Sequence, residues 1–197
     1  LPDIATSAED IEVQRGVGTS TNGPGAFGAS VNLRTTAVQR EAWGLIDIGA
    51  GSYNTQRYSV SGGTGLLDGK FSLEMRLSSN TSDGYIDRAS ADLKSYFLQG
   101  AWIGKTRSLR FITFKGKEVT YQAWDGVPRE VIDTNRTYND FTYENQVDNY
   151  DQTHYQVLFD QQLGENTTLN VTLFRVLGAG YYEQYEPDDD LSTYGIA

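Results

Sequence analysis

The sequence predicts an all-β fold in which about seven antiparallel strands follow one another as hairpins, and two observations support it. Glycine and tyrosine are frequent, at 21 and 13 of the 197 residues, whereas proline occurs only 4 times. Such a composition favours strands and tight turns over helices. From Phe71 to Ser78, apolar and polar residues also alternate strictly. A helix would spread these apolar side chains around its axis, so the segment predicts a strand with one apolar and one polar face.

The other predicted strands are runs of β-forming residues between turn signals, such as the Asp-Gly pair at Asp68. All the predicted strands together cover roughly residues 44–52, 55–65, 71–78, 92–104, 109–119, 153–163 and 168–180. In the segment 109–119 the apolar residues occupy both parities, which indicates either a bulge or packing on both faces.

Short and long connections alternate along these strands. The turns near Asp68 and Lys105 are short, whereas the segments 83–91 and 121–152 are long. Bacterial outer-membrane barrels have short turns at the periplasmic end and long loops at the extracellular end. The pattern therefore predicts part of an antiparallel transmembrane β-barrel. The short connection near Tyr53 departs from the pattern if it lies at the end that carries the long loops.

Aromatic residues collect near the ends of the predicted strands. They are Trp43, Tyr53, Tyr85, Trp102, Trp124, Tyr181 and Tyr182. Aromatic girdles at the two surfaces of a bilayer would give this distribution. The general preference of aromatic residues for strands would also give it, so both interpretations stay open.

Charge and composition argue against several classes of function. The net charge is -10 and the isoelectric point is about 4.5, which argues against a nucleic-acid partner because phosphate binding needs clustered Lys and Arg. The lack of cysteine excludes disulfides and Cys-ligated metal sites. The single histidine, His154, has no second histidine at metal-ligand spacing, so we expect neither a metal site nor a cofactor. No G-x-S-x-G motif or other catalytic arrangement stands out, and we expect no enzyme.

The hydropathy is compatible with a membrane β-barrel. No apolar run approaches the ~18 residues of a membrane-spanning helix, and the mean hydropathy is -0.49. In a barrel wall, lipid-facing and lumen-facing residues alternate and average out, so these values do not exclude one. The start of the sequence, LPDIATSAED, lacks the basic and apolar regions of a signal peptide. A mature exported protein, an internal fragment or a cytoplasmic protein would all begin in this way.

The segment Ile11–Thr36 forms a junction ahead of the strand series. It contains the sequence IEVQRG, a glycine-rich bend and the sequence GPGAFGASVNL. The glycines do not fit a phosphate-binding loop, because no Gly-Lys-Ser/Thr follows and the next segment, Ser30 to Arg34, is a predicted strand and not the helix that a G-x-G-x-x-G loop requires. They favour close backbone packing instead. Just upstream, Ser7 and Asp10 fit a capping box, which predicts either one helical turn over Ala8 to Asp10 or an ordinary loop.

The two motifs, in this order, resemble the end of the plug domain of TonB-dependent outer-membrane receptors. In that family a small plug lies inside a large β-barrel and leads directly into the first barrel strand. The resemblance implies that residues 1–36 are the C-terminal end of a plug and residues 37–197 the N-terminal part of the barrel. It also implies that Arg15, Gly16 and Arg34 lie at the plug–barrel interface, where Arg15 would pair with barrel carboxylates. A solvated arginine at a strand end is the alternative for Arg15.

The resemblance further implies energised uptake of a scarce solute across the outer membrane of a Gram-negative bacterium. The partners would be outer-membrane lipid, the solute and TonB, which would bind a region upstream of this chain. The sequences GAFGASVNL and YYEQYEPDDDLSTYG are similar to those of receptors for iron chelates such as siderophores, for haem or for cobalamin, particularly in Bacteroidetes. We therefore expect a metal-chelate ligand.

The long segment 121–152 is the predicted ligand-binding loop, because exposed aromatic residues on a long loop indicate a contact surface. The candidate residues have aromatic or acidic side chains: Tyr121, Trp124, Asp125, Tyr138 and Tyr143. A lid that folds over its own aromatic residues is the alternative for this loop. For the whole chain, the alternative is a secreted soluble β-sandwich that binds glycans through loop aromatics, which explains the alternation but not the plug-like junction.

Overall fold

The computed structural model describes residues 7–16, 28–35, 37–186 and 189–196. Within these ranges it contains nine strands, which are β1 (Ala8–Arg15), β2 (Ala29–Thr35), β3 (Trp43–Gly51), β4 (Thr55–Gly63), β5 (Phe71–Ser82), β6 (Ala91–Ile103), β7 (Arg107–Tyr121), β8 (Val147–Gly164) and β9 (Thr167–Tyr182). A short α-helix, α1 (Arg129–Thr134), and a 3₁₀ helix (Leu191–Tyr194) complete the described elements.

Strands β3 to β9 form one seven-stranded antiparallel sheet in which each strand pairs with its neighbours in the chain. Strands β1 and β2 form a separate antiparallel hairpin, closed by a 2.7 Å hydrogen bond from the amide of Gly16 to the carbonyl of Gly28. Gly16 has a φ of +86°, which an L side chain rarely adopts, so this end of the hairpin requires glycine. The sheet has two unpaired edges, at β3 and at β9.

The seven predicted strands are confirmed, and one boundary differs clearly from the prediction. Strand β8 begins at Val147 rather than near Thr153, so the long connection covers residues 122–146. The sequence VDNYDQ is polar and reads as a loop, but its backbone pairs with both β7 and β9. Both alternatives for Ala8 to Asp10, a helical turn or a loop, are wrong, because these residues begin β1 and Asp10 pairs with Arg34.

The strand β7 contains no bulge and has apolar residues on both faces. Its register with β6 and with β8 runs without a shift. Leu109 and Phe111 are exposed on one face, whereas Ile112 and Phe114 are buried on the other. Phe97 joins Ile112 and Phe114 in a small apolar cluster. The bulge is therefore wrong, and of the two apolar faces only the one with Ile112 and Phe114 is packed within the described residues.

The two faces of the sheet have opposite polarity to those of a water-soluble protein. We define the inner face as the one on which Arg76 contacts Ser7 of the N-terminal segment. On β5, Glu74 and Arg76 point to this face and are each 6% exposed. The apolar residues between them point to the outer face, and Met75 is 44% exposed. This arrangement matches a barrel wall and does not favour the soluble β-sandwich, whose apolar residues would fill a shared interior.

The connections sort by end, with one exception. The turns after β4, β6 and β8 lie at one end of the sheet, and the segments 83–90 and 122–146 lie at the other. The link between β3 and β4 also lies at this second end but is tight. Tyr53 and Asn54 both adopt positive φ, as the central residues of a type I′ turn do, and the amide of Thr55 donates to the carbonyl of Ser52 at 3.2 Å. Among the described residues, no helix has the length and hydropathy needed to cross a membrane.

Candidate functional sites at the loop end and on the inner face

The connections at the loop end pack together into one structure, which we call the loop cap and define as residues 83–90, 122–146 and 183–186. Asn139 is buried at its centre. Its side-chain amide donates to the carbonyls of Asp87 and Gln122, both at 2.9 Å, and its side-chain oxygen accepts from the amide of Phe141 at 3.1 Å. One side chain therefore ties the long connection both to itself and to the segment 83–90.

Two further side chains fasten the loop cap. The amide of the Gln122 side chain, fully buried, donates to the carbonyls of Val147 at 3.3 Å and Glu183 at 2.9 Å. The guanidinium of Arg88 donates to the carbonyls of Phe141 and Asn139, both at 2.9 Å. Because these bonds join segments that are distant in sequence, they fix the long connection against its neighbours.

The loop cap presents a group of exposed aromatic rings. The ring of Trp124 lies 5.8 Å from that of Tyr182 and 6.4 Å from that of Phe141, with edge-to-face geometry in both pairs. The rings of Tyr143 and Tyr185 stack, with centroids 4.9 Å apart and planes 13° apart. We call the exposed members of this group the aromatic surface: Trp124, Tyr143, Tyr182 and Tyr185.

The structure brings together some of the predicted ligand-binding residues and leaves others apart. Tyr121 joins the aromatic surface, because its hydroxyl donates to the carbonyl of Tyr143 at 2.6 Å. The hydroxyl of Tyr138 bonds to the carboxylate of Asp140, and this bond raises the pKa of the phenol above its ordinary value. Asp125 is exposed, and within the described ranges no hydrogen bond or ion pair connects it to the cap. The loop does cover one of its own aromatic residues, Phe141, which is buried.

Tyr182 and Tyr185 were not predicted as site residues. Strand β9 pairs with β8 along its length, and Asp148 lies opposite Tyr182. In a hairpin, the end of the second strand lies beside the start of the first. The signal that could have found them is therefore their position at the end of β9, which places them next to the start of β8 and the long connection before it.

On the inner face, a polar network joins the N-terminal segment to the sheet. The Nε of Arg76 donates to the hydroxyl of Ser7 at 2.7 Å, and its Nη2 donates to the hydroxyl of Ser95 at 3.2 Å. Ser95 also shares a 2.9 Å hydrogen bond with Ser78. Charge-assisted hydrogen bonds of this kind compensate the cost of burying the guanidinium. None of these residues was singled out from the sequence as a site residue.

A cavity of about 420 Å³ lies between β2 and the inner face of β7 and β8. Arg34, Arg110 and His154 line it, together with Ile112 and Phe114 of the apolar cluster. The imidazole of His154 stacks on Phe114 with centroids 4.5 Å apart. Arg34 therefore lies beside the sheet, although both Arg34 and Arg15 are exposed. In the described part of the chain, no ion pair involving Arg15 is found. No group of three or more His, Asp or Glu residues there could hold a metal ion.

No protein-family model matches this sequence. No curated protein matches it either. Several solved structures resemble the chain in fold. The siderophore receptor PiuA from Acinetobacter baumannii is 14% identical with a TM-score of 0.76, and the match covers 88% of this chain and 26% of that one.

Two further structures agree with it. The open form of the ferric-catecholate import receptor Fiu from E. coli K12 is 14% identical with a TM-score of 0.72 and coverages of 87% and 29%. The ferric citrate transporter FecA is 17% identical with a TM-score of 0.70 and coverages of 91% and 28%. The chain therefore spans less than a third of the structures that it resembles. Its sheets match the barrel part of TonB-dependent receptors, which are transport proteins and not enzymes.

Proposed function

We propose that this chain is part of a TonB-dependent outer-membrane receptor that imports an iron chelate into a Gram-negative bacterium. The observation that carries the proposal is the polarity of the sheet, which exposes apolar side chains on its outer face and covers polar ones on its inner face. A wall of this kind suits lipid on one side and a polar lumen on the other. The fold that the chain shares with siderophore and ferric-citrate receptors supports the same conclusion.

We further propose that residues 1–36 are the end of a plug domain and residues 37–197 the first part of the barrel. The hydrogen bond between Ser7 and Arg76 and the cavity beside Arg34 support this division, because both join the hairpin to the inner face of the sheet. On this proposal Arg15 pairs with carboxylates on barrel strands outside this chain, since an arginine inside a lumen needs a partner. TonB would bind a region upstream of residue 1.

The aromatic surface is the proposed point of first contact with the ligand. It is exposed, and the hydrogen bonds of Gln122 and Asn139 hold the loop cap that carries it. A rigid set of aromatic rings binds flat or apolar ligand surfaces at a low cost in conformational entropy. Trp124 and Tyr143 are the residues from which we expect the largest contributions.

The charge of the loop end narrows the class of ligand. The segment 122–146 contains five acidic residues and two arginines, and the segment 183–190 contains five acidic residues and no basic one. Such a surface repels anions and attracts neutral or cationic ligands. We therefore propose a ferric chelate without net negative charge, with haem and cobalamin as the alternatives that the same experiment resolves.

The test is uptake by the source bacterium with and without the gene. Cells are given radiolabelled iron as a neutral or cationic ferric trihydroxamate, iron as an anionic ferric tricatecholate, haem, or cobalamin. We expect deletion to abolish high-affinity uptake of the trihydroxamates alone, and complementation with a Trp124→Ala/Tyr143→Ala variant to restore it only in part. Uptake that is unchanged for every compound would contradict the proposed function.

A further inference from the structure

The outer face of the sheet changes from apolar to polar at a row of tyrosines. Tyr58, Tyr96 and Tyr155 lie on β4, β6 and β8 and point to the outer face, since Tyr96 pairs directly with Leu77. On β5, apolar residues occupy the outer face from Phe71 to Leu77 and serine and threonine follow toward the loop end. Tyrosine marks the surface of the bilayer in barrel proteins. The tyrosines therefore mark the upper limit of the apolar band.

Cationic side chains lie at this limit and just beyond it toward the loop end, on β6 and β7. Lys94 lies opposite Lys117 across the strand pair, and Lys115 lies opposite Tyr96. The side chain of Lys94 is 63% exposed, and Lys117 is exposed as well. We call Lys94, Lys115 and Lys117 the lysine cluster. It is concentrated on two neighbouring strands of a chain whose net charge is -10.

The acidic residues near the lysine cluster neutralise it only in part. Asp92 pairs with Lys94 at 2.9 Å, and Asp151 pairs with Lys115 at 3.3 Å. Asp151 also lies opposite Lys117 on β8, but its carboxylate bonds to Lys115. Like charges directly opposite each other destabilise an antiparallel pair. An anion bound between Lys94 and Lys117 would relieve this repulsion.

Because barrel strands are tilted, a cationic side chain on β9 can lie at the same membrane level as the lysine cluster. Barrel strands are inclined by about 35–45° to the membrane normal, so one membrane level passes through successively different rows of the sheet. Relative to the rows of paired residues, the upper limit of the apolar band moves away from the loop end, from Tyr58 on β4 to Tyr155 on β8. Arg175 lies opposite Tyr155 on the outer face of β9 and continues the zone there.

We propose that the lysine cluster binds the phosphate groups of an anionic lipid in the outer leaflet, with the acyl chains of that lipid lying along the apolar band below. The proposal rests on the proposed function, because it needs this face to lie in a membrane. The positive charge of the lysine cluster and its position beside the apolar band together indicate an anionic lipid. A soluble anion would not need the apolar band, and a lipid without phosphate would not need the lysines.

The test uses the full-length receptor, purified from membranes in detergent, and diphosphoryl lipid A as the probe. A Lys94→Gln/Lys117→Gln variant removes two charges above the tyrosines. A Lys70→Gln/Lys105→Gln variant removes the same number of charges from the short turns at the opposite end and is the matched control. We expect the first variant to weaken lipid binding about tenfold, because each lysine near an anionic surface contributes on the order of fivefold or less. We expect the control to bind like the wild type.

Two further measurements make the result specific. A Lys94→Arg/Lys117→Arg variant keeps both charges and should retain the affinity, and lipid A from which both phosphates have been removed should bind weakly to every variant. Resistance to unfolding by detergent at room temperature verifies that each variant is a folded barrel. Equal affinity of the Gln variant and the wild type for diphosphoryl lipid A would overturn the proposal.

The location of the receptor separates this proposal from the one on which it rests. If the receptor fractionates with the outer membrane and the lysine variants bind lipid A equally well, only the lipid site is contradicted. If the wild-type receptor fractionates outside the outer membrane, the proposed function fails and the lipid site fails with it.

Discussion

The seven-stranded sheet, which we call the wall, and the loop cap differ in which side chains are buried. In the wall, Glu74 and Arg76 are buried while Met75 between them is exposed. In the loop cap, Phe141 is buried and the buried polar side chain of Asn139 is bonded to the backbone, as in an ordinary soluble protein. The two regions belong to one chain and adjoin at the ends of the same strands.

On the proposed function, this contrast reflects two different solvents. Exposed apolar residues are stable on the wall only if the surrounding solvent is lipid. Buried apolar residues stabilise the loop cap only if the solvent there is water. The boundary between the two regimes lies near the tyrosine row, where Tyr96 faces outward. Substitutions on the two sides of this boundary should therefore have opposite consequences.

The largest effect is expected for Met75→Arg at the middle of the apolar band. An arginine there should destabilise the folded receptor by about 2–4 kcal/mol, because the charge would lie in lipid. Ser59→Arg is the control, since Ser59 faces inward and lies opposite Asp47. Urea unfolding of the full-length receptor in lipid vesicles measures both. Similar losses for the two variants would contradict the assignment of the faces.

In the loop cap, Asn139→Ala should cost about 2 kcal/mol of local stability, because buried carbonyls lose their donor. Faster hydrogen exchange of the segment 122–146 with an unchanged sheet would show it. Asn145→Ala removes the same type of side chain from an exposed position of the same segment and should leave exchange unaffected. Protection that survives Asn139→Ala would mean that the cap is held by other contacts.

On the inner face, Arg76→Lys should cost about 1 kcal/mol, because an ammonium cannot reproduce the directed bonds of the guanidinium to Ser7 and Ser95. A double-mutant cycle with Ser7→Ala isolates the bond between the N-terminal segment and the wall. Denaturant unfolding of the full-length receptor provides the four free energies. A coupling energy of zero would mean that this bond does not hold the hairpin in place.

The smallest effect concerns the protonation of Tyr138 on the water side of the boundary. Its raised pKa means that the neutral phenol, whose ordinary pKa is 10.0, is favoured in the folded protein. Any stability from this bond is present below that pH and is lost as the pH rises through the folded-state value. Asp140→Asn should lower the pKa of Tyr138, and difference absorbance titrations against Tyr138→Phe in each background would detect the change. An unaltered titration would contradict the bond to Asp140.

The strands of the wall could be predicted from the sequence because successive residues of a barrel strand face two different environments and therefore alternate in polarity. The alternation from Phe71 to Ser78 is one example, and the structure confirms that its apolar and polar residues lie on opposite faces, whereas β5 continues to Ser82. The start of β8 at Val147 could not be predicted in this way. Beyond the apolar band a paired strand is polar on both faces, so its sequence is that of a loop.

The loop cap was predictable in composition but not in connectivity. The aromatic character of the segment 121–152 indicated a contact surface, and Trp124 and Tyr143 do lie among exposed aromatic rings. Nothing in the residue types distinguishes the buried Asn139 from the exposed Asn145. The difference arises because Asn139 meets backbone groups of two segments that only the folded sheet brings together.

The meander order of β3 to β9 has a consequence for how such a wall changes over evolutionary time. Each strand bonds only to the strands before and after it, so a hairpin is the natural unit of gain and loss. Inserting or deleting one leaves the alignment of all other strand pairs intact. The connections at the loop end can likewise be exchanged without changing the strand pairing below them. The loops can therefore diversify while the sheet stays the same.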